Sequence, residues 1–158
     1  MARLGDTTVF GGLKVTGWGI LDTNLSTGQS NAENGIYVNF AETVNINQGF
    51  NIISDSEVSP INGGIFQVSF NVNFHRTGSS LRNIMYAEIE KGGNKLSSRT
   101  RGLCYIRNSG EGDEGDATDT AILELSGGES IRIWANEEGG GETGNDIERA
   151  NISIQQLE

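Results

Sequence analysis

The sequence contains one proline, one cysteine and one histidine in 158 residues, and only 11 lysines and arginines against 21 aspartates and glutamates. Each shortage excludes something. The lone Cys104 cannot close an internal disulfide, and a secreted domain of this type would more often carry paired cysteines. Assembly in a reducing compartment is therefore expected. With His75 as its single histidine, the chain lacks the Cys/His groupings of metal sites and offers little for a nucleophile–base relay. The formal charge is −10 and the cations are scattered, Arg99-Thr100-Arg101 being the nearest approach to a cluster. Such a surface repels DNA, RNA and anionic lipid, so neither nucleic acid nor membrane is expected as a partner. No apolar run approaches the ~20 residues that span a bilayer. The opening Met1-Ala2-Arg3-Leu4-Gly5-Asp6 is followed by no apolar segment, so no secretory leader is expected. Gly-x-Ser-x-Gly and His-Glu-x-x-His patterns are missing too, and with them the signatures of hydrolases and metalloproteases. No catalytic residue, metal or cofactor is expected, and the chain reads as a non-enzyme.

What is present is glycine, 23 residues of it, and a hydrophobic period of two. High glycine with almost no proline indicates many tight turns. Phe66, Val68, Phe70, Val72 and Phe74 alternate with Gln67, Ser69, Asn71 and Asn73, the pattern of a half-buried strand. A one-residue slip would turn all five apolar groups to water, so the register is expected to be fixed. Shorter copies follow at Ile36–Phe40, Met85–Ile89, Ala121–Leu125, Ile131–Ala135 and Ile152–Ile154, with further candidates at Val44–Ile46, Phe50–Ile53 and Leu103–Ile106. Turn residues such as Asn62-Gly63-Gly64, Gly92-Gly93-Asn94 and Ser126-Gly127-Gly128 separate them. Many strands with no 3.6-residue period predict an all-β antiparallel jelly-roll sandwich in one domain over residues 31–158.

Residues 1–30 read differently, as an extended N-terminal arm. Leu4, Val9, Phe10, Leu13, Val15 and Trp18 are too few to make a core and are expected to pack on the main domain, on a sister chain or on a partner surface. Ile122, Trp134 and Tyr86 stand on the nominally polar parity of their strands, which makes them candidates for a subunit interface, where aromatic residues are enriched. His75 ends the strongest strand on its polar parity and reads as a surface or interface group, and Cys104 as an inert thiol in a strand. The carboxylates of Glu111–Asp119 read as a solvated acidic loop, with calcium as the lesser alternative. Glu137–Asp146 reads as an exposed, Gly-rich connection.

Three stretches carry a resemblance to the TNF-like superfamily, in particular to its complement globular-head type. Gly64-Ile65-Phe66-Gln67-Val68-Ser69-Phe70-Asn71-Val72-Asn73-Phe74 resembles the family's central strand. Thr120–Ile133, with its Ser126-Gly127-Gly128-Glu129 turn, resembles a family hairpin, and Ala150–Leu157 resembles the closing strand, with Ile152, Ile154 and Leu157 where the family usually has aromatics. The resemblance implies a ten-strand sandwich and a homotrimer packed about a three-fold axis. Leu4–Gly17 is similar to segments of tailed-phage structural proteins that lead into trimeric fibres or decoration domains. Together these imply a virion protein, assembled in the host cytoplasm, that decorates or cements a capsid and has itself and the major capsid protein, or another virion protein, as partners. The alternative is a head- or tail-fibre tip that binds carbohydrate or another feature of a host surface.

Overall fold

The computed structural model describes residues 8–9, 13–14, 19–25, 28–77, 82–96, 100–106, 113–139 and 144–157. In chain order the strands are β1 (Thr8–Val9), β2 (Leu13–Lys14), β3 (Ile20–Leu25), β4 (Ile36–Tyr37), β5 (Thr43–Gln48), β6 (Phe50–Ser54) and β7 (Glu57–Pro60). They continue with β8 (Gly64–Arg76), β9 (Asn83–Lys91), β10 (Asn94–Lys95), β11 (Arg101–Ile106), β12 (Glu114–Leu125), β13 (Ile131–Glu137) and β14 (Asn145–Gln156). The described residues contain no α-helix; a single 3₁₀ turn, Ala32–Asn34, precedes β4.

Two antiparallel sheets face each other. One has the order β12-β8-β14-β3-β5. The other runs β9-β13-β7-β6, with β10 and β11 sharing the far flank of β9 and β4 joining β7 on the flank of β13. This is the predicted jelly-roll sandwich, and the side-chain period explains it. Phe66, Val68, Phe70, Val72 and Phe74 are all buried, and so are Ile152 and Ile154 beside them and Met85, Ala87, Ile89, Ile131, Ile133 and Ala135 across the core. Each large side chain withdrawn from water contributes roughly 1.5–3 kcal/mol.

β8 holds the first sheet together. It pairs with β12 from Gly64↔Leu125 to His75↔Glu114 and with β14 from Phe66↔Gln156 to Arg76↔Asn145. The two sheets come closest at one side, where Gly102 of β11 passes β12. A Cβ on Gly102 would lie 2.6 Å from the backbone nitrogen and 2.7 Å from the oxygen of Thr118, so only glycine fits there.

Two boundaries differ from the sequence reading. The arm ends before residue 20, because Ile20–Leu25 pairs with β14 along its whole length and buries Leu21 and Leu25 in the core. The acidic stretch before Thr120 is largely strand: Glu114–Asp119 forms the first half of β12. Its inward positions are the small Gly115 and Ala117, which carry almost no hydrophobic signal.

Candidate self-association face and anchoring pole

The outward face of the five-stranded sheet is built by the positions that alternate with the core. Register places them in cross-strand rows. Asn24, Asn151, Asn71 and Thr118 form one row across β3, β14, β8 and β12. Asp22, Ser153, Ser69 and Thr120 form the next, and Ile20, Gln155, Gln67 and Ile122 the third. Eleven of these twelve side chains are uncharged. Ser69 and Thr120 share a 3.0 Å hydroxyl contact, and Asp22 accepts from Asn45 Nδ2 at 3.1 Å. The half-covered amides of Asn24, Asn71 and Asn151 and the exposed ones of Gln67 and Gln155, each a donor and an acceptor, suit a surface that meets another polar surface. Beside the first row, Asn24, Leu25, Thr43, Asn71, Arg149, Ala150 and Asn151 line an open depression of about 500 Å³.

The two ends of the sandwich are chemically unlike. At one pole, Gln156 donates to the Gly19 carbonyl, Leu157 to Ile65, Ile61 to Gly49 and Gly128 to Pro60. These contacts gather glycines and apolar residues, including Ile61, which is 53% exposed, and Ile65, beside the ion pair of Lys91 and Glu129. The chain enters β3 at this pole, after Gly19. At the other pole, His75 lies between two carboxylates, with Nε2 3.4 Å from Asp113 and Nδ1 3.6 Å from Glu148. Glu114 and Asp146 stand opposite His75 in the register, and Glu33 accepts from the backbone of Gly144 and Asn145. Asn73 donates to Asp116 at 3.1 Å, while its buried Oδ1 has no partner among the described residues.

The outward face of the second sheet is closed by its own side chains. Glu88 and Glu90 are buried there, Glu88 3.5 Å from Arg101 Nε and Glu90 2.6 Å from Arg132 Nη2. Tyr37 donates to Glu90 at 2.9 Å. Burial, and then that bond to Glu90, push the Tyr37 phenol upward. Lys95 sits 3.5 Å from the centre of the Trp134 ring, Arg101 stacks on Tyr86 and Arg132 on Tyr37. Trp134 also packs edge-on against Tyr37 and over Gly35.

The three candidate interface residues therefore separate. Ile122 lies on the polar rows and is 66% exposed, whereas Tyr86 and Trp134 lie on the opposite sheet and are covered by their own subunit. Of the arm residues, Val9 and Leu13 fall in β1 and β2, while Leu4, Phe10, Val15 and Trp18 lie outside the described residues. The sequence reading did not find the rows of amides, because polar residues on the wet parity of a strand look like ordinary surface. Cys104 faces Gly115 across the β11–β12 contact, and burial pushes its thiol up to about 12. Among the described residues, no group of three or more His, Cys, Asp and Glu is placed to hold a metal ion, and no helix is long and apolar enough to cross a membrane.

The architecture is that of the TNF-like jelly roll. The globular domain of zebrafish complement 1qA protein superposes with a TM-score of 0.56 at 12% identity, covering 89% of this chain and 97% of that one. Murine APRIL at pH 8.5 gives 0.53 at 12% identity over 86% and 97%, and murine APRIL at pH 5.0 gives 0.51 at 13% identity over 86% and 98%. At such identities the likeness is one of fold. No family model matches the chain, and no curated protein matches it in sequence.

Proposed function

We propose that the protein is a homotrimeric structural protein of a virion that decorates or cements the capsid shell, resting on the pole where β3 begins. The observation that supports this reading is the division of the surface. One face offers rows of amides and hydroxyls for contact between copies. The pole where β3 begins exposes Ile61 and Ile65 beside the Lys91–Glu129 ion pair, and the opposite pole gathers Asp113, Glu114, Asp146 and Glu148 around His75. A trimer would carry three times the −10 of one chain, which keeps its exposed end clear of DNA and of other particles. The arm residues Leu4, Val9, Phe10, Leu13, Val15 and Trp18 reach the partner surface from the same pole. The chemistry assigned to this chain is contact, not catalysis.

The test is light scattering of the full chain and of a chain lacking residues 1–18, each also mixed with empty shells of the particle. A mass of three chains for both, with shell binding lost only on truncation, is the expected result. A lone folded subunit at micromolar concentration, or unaltered shell binding by the truncated protein, overturns it. One observation favours the alternative of a fibre tip that binds host carbohydrate: the depression beside Arg149 offers three asparagines and a threonine to a polyhydroxylated ligand. Saturable glycan binding that is lost in Asn151→Leu, with no affinity for shells, would establish that alternative.

A further inference from the structure

The sheets end in two strands that leave their edges open at one corner. Among the described residues, β5 pairs only with β3, and β6 only with β7. Between residues 43 and 54 there is no charged residue and no proline. Every residue of β5 is exposed, and Val44, Ile46, Ile52 and Ile53 are 38–54% accessible. Natural sheets guard free edges with lysine, proline or a covering element, because a bare edge accepts a further strand. Among the described residues this edge has none of those guards, in a chain where one residue in five is charged.

The chain also carries an incomplete partner for it. β1 and β2 form a hairpin of two residue pairs, and a lone two-stranded hairpin is marginal in water. From Thr7 to Gly17 its only charge is Lys14. The segment leaves the domain through Gly19, and Ile20 pairs with Gln48, the last residue of β5. Arm and open edge therefore meet at the same pole.

We propose that the free edge of β5 receives the β1–β2 hairpin of a neighbouring copy, which extends the five-stranded sheet across the boundary between subunits. A neighbour is favoured over the chain's own hairpin because, among the described residues of one chain, β1 and β2 pair with each other and not with β5. A neighbour's hairpin arrives from outside, and one of its two strands is free to pair antiparallel, the more stable arrangement. This contact between copies goes beyond the anchoring reading and holds whatever the pole rests on.

The test uses two full-length preparations, both carrying Cys104→Ala, one with Thr8→Cys and the other with Asn47→Cys. They are mixed, allowed to exchange subunits and treated with a short bismaleimide. The expected result is a covalent dimer containing one chain of each kind. Ile46→Lys, and independently Val44→Lys, in the receiving chain lowers that yield at least fivefold while circular dichroism and subunit mass stay unchanged. Failure of mixed chains to link overturns the proposal, as does linkage that persists with both lysines. A chain bearing both cysteines that links to itself at a yield insensitive to dilution overturns it as well. None of these readouts involves a shell, so failure here is separable from failure of the capsid reading.

Discussion

The two poles of the sandwich are made by the same strands yet differ in almost everything the strands carry. β8 begins among Gly64, Ile65 and the glycine turns and ends at His75 between Asp113 and Glu148. Its core side does not change along the way: Phe66 and Phe74, near the two ends, are equally buried. The alternation of a strand separates these two properties. One parity fixes the fold, and the other is free to change its chemistry from end to end without disturbing the core.

That separation can be broken at several levels. The largest effect is expected in the shared core. Phe66→Ala and Phe74→Ala should each destabilise by about 3–5 kcal/mol, by lost transfer energy and the cavity left behind. Urea unfolding checks this, and a single transition with similar losses at both ends would show that the poles share one cooperative core. Next comes Gly102→Ala, whose methyl group meets the Thr118 backbone and should cost about 1–3 kcal/mol by forcing the sheets apart. Poles diverge in the third test. Ile61→Lys should weaken shell binding about tenfold or more, equivalent to about 1.4 kcal/mol, whereas Glu148→Gln should leave it within a factor of two.

The Cys104 thiol tests the side of the sandwich, where burial raises it to about 12. The folded form therefore holds a proton that the unfolded chain gives up at lower pH. The resulting stabilisation is complete below the unfolded thiol's range near 9 and declines as pH rises from there towards 12. Cys104→Ala should flatten that decline in alkaline urea titrations, and a thiol reagent at pH 7 should label the native protein far more slowly than the unfolded one. The smallest effect concerns the acidic pole. His75→Gln removes two partly exposed ion contacts and should change stability by no more than about 1 kcal/mol, less at high salt.

The fold was legible in the sequence wherever a strand buries large side chains on one parity. Phe66–Phe74, Met85–Ile89, Ile131–Ala135 and Ile152–Ile154 all lie in strands of the core. Legibility failed where the buried parity is small. Gly115 and Ala117 face inward under β11, so half of β12 looked like an acidic loop. It failed again at Ile20–Leu25, whose buried Leu21 and Leu25 are separated by Asp22, Thr23 and Asn24. The candidate site was only partly legible. Ile122 stood out because an isoleucine on the wet parity is conspicuous, and it is exposed there. The amide rows stayed hidden because neighbours across a sheet are set by register, which a single sequence does not state. Tyr86 and Trp134 were conspicuous for another reason: each is covered by a cation of its own subunit.

The thirteen residues of β8 run from one end of the domain to the other with a bonded neighbour on each side for nearly their full length. In an antiparallel ladder the hydrogen bonds lie across the strands. A tug along the long axis, such as a swelling container exerts on whatever is fastened to it, would have to shear many of those bonds simultaneously and could not peel them off singly. The domain is thereby stiff in the direction in which a clasp is stretched.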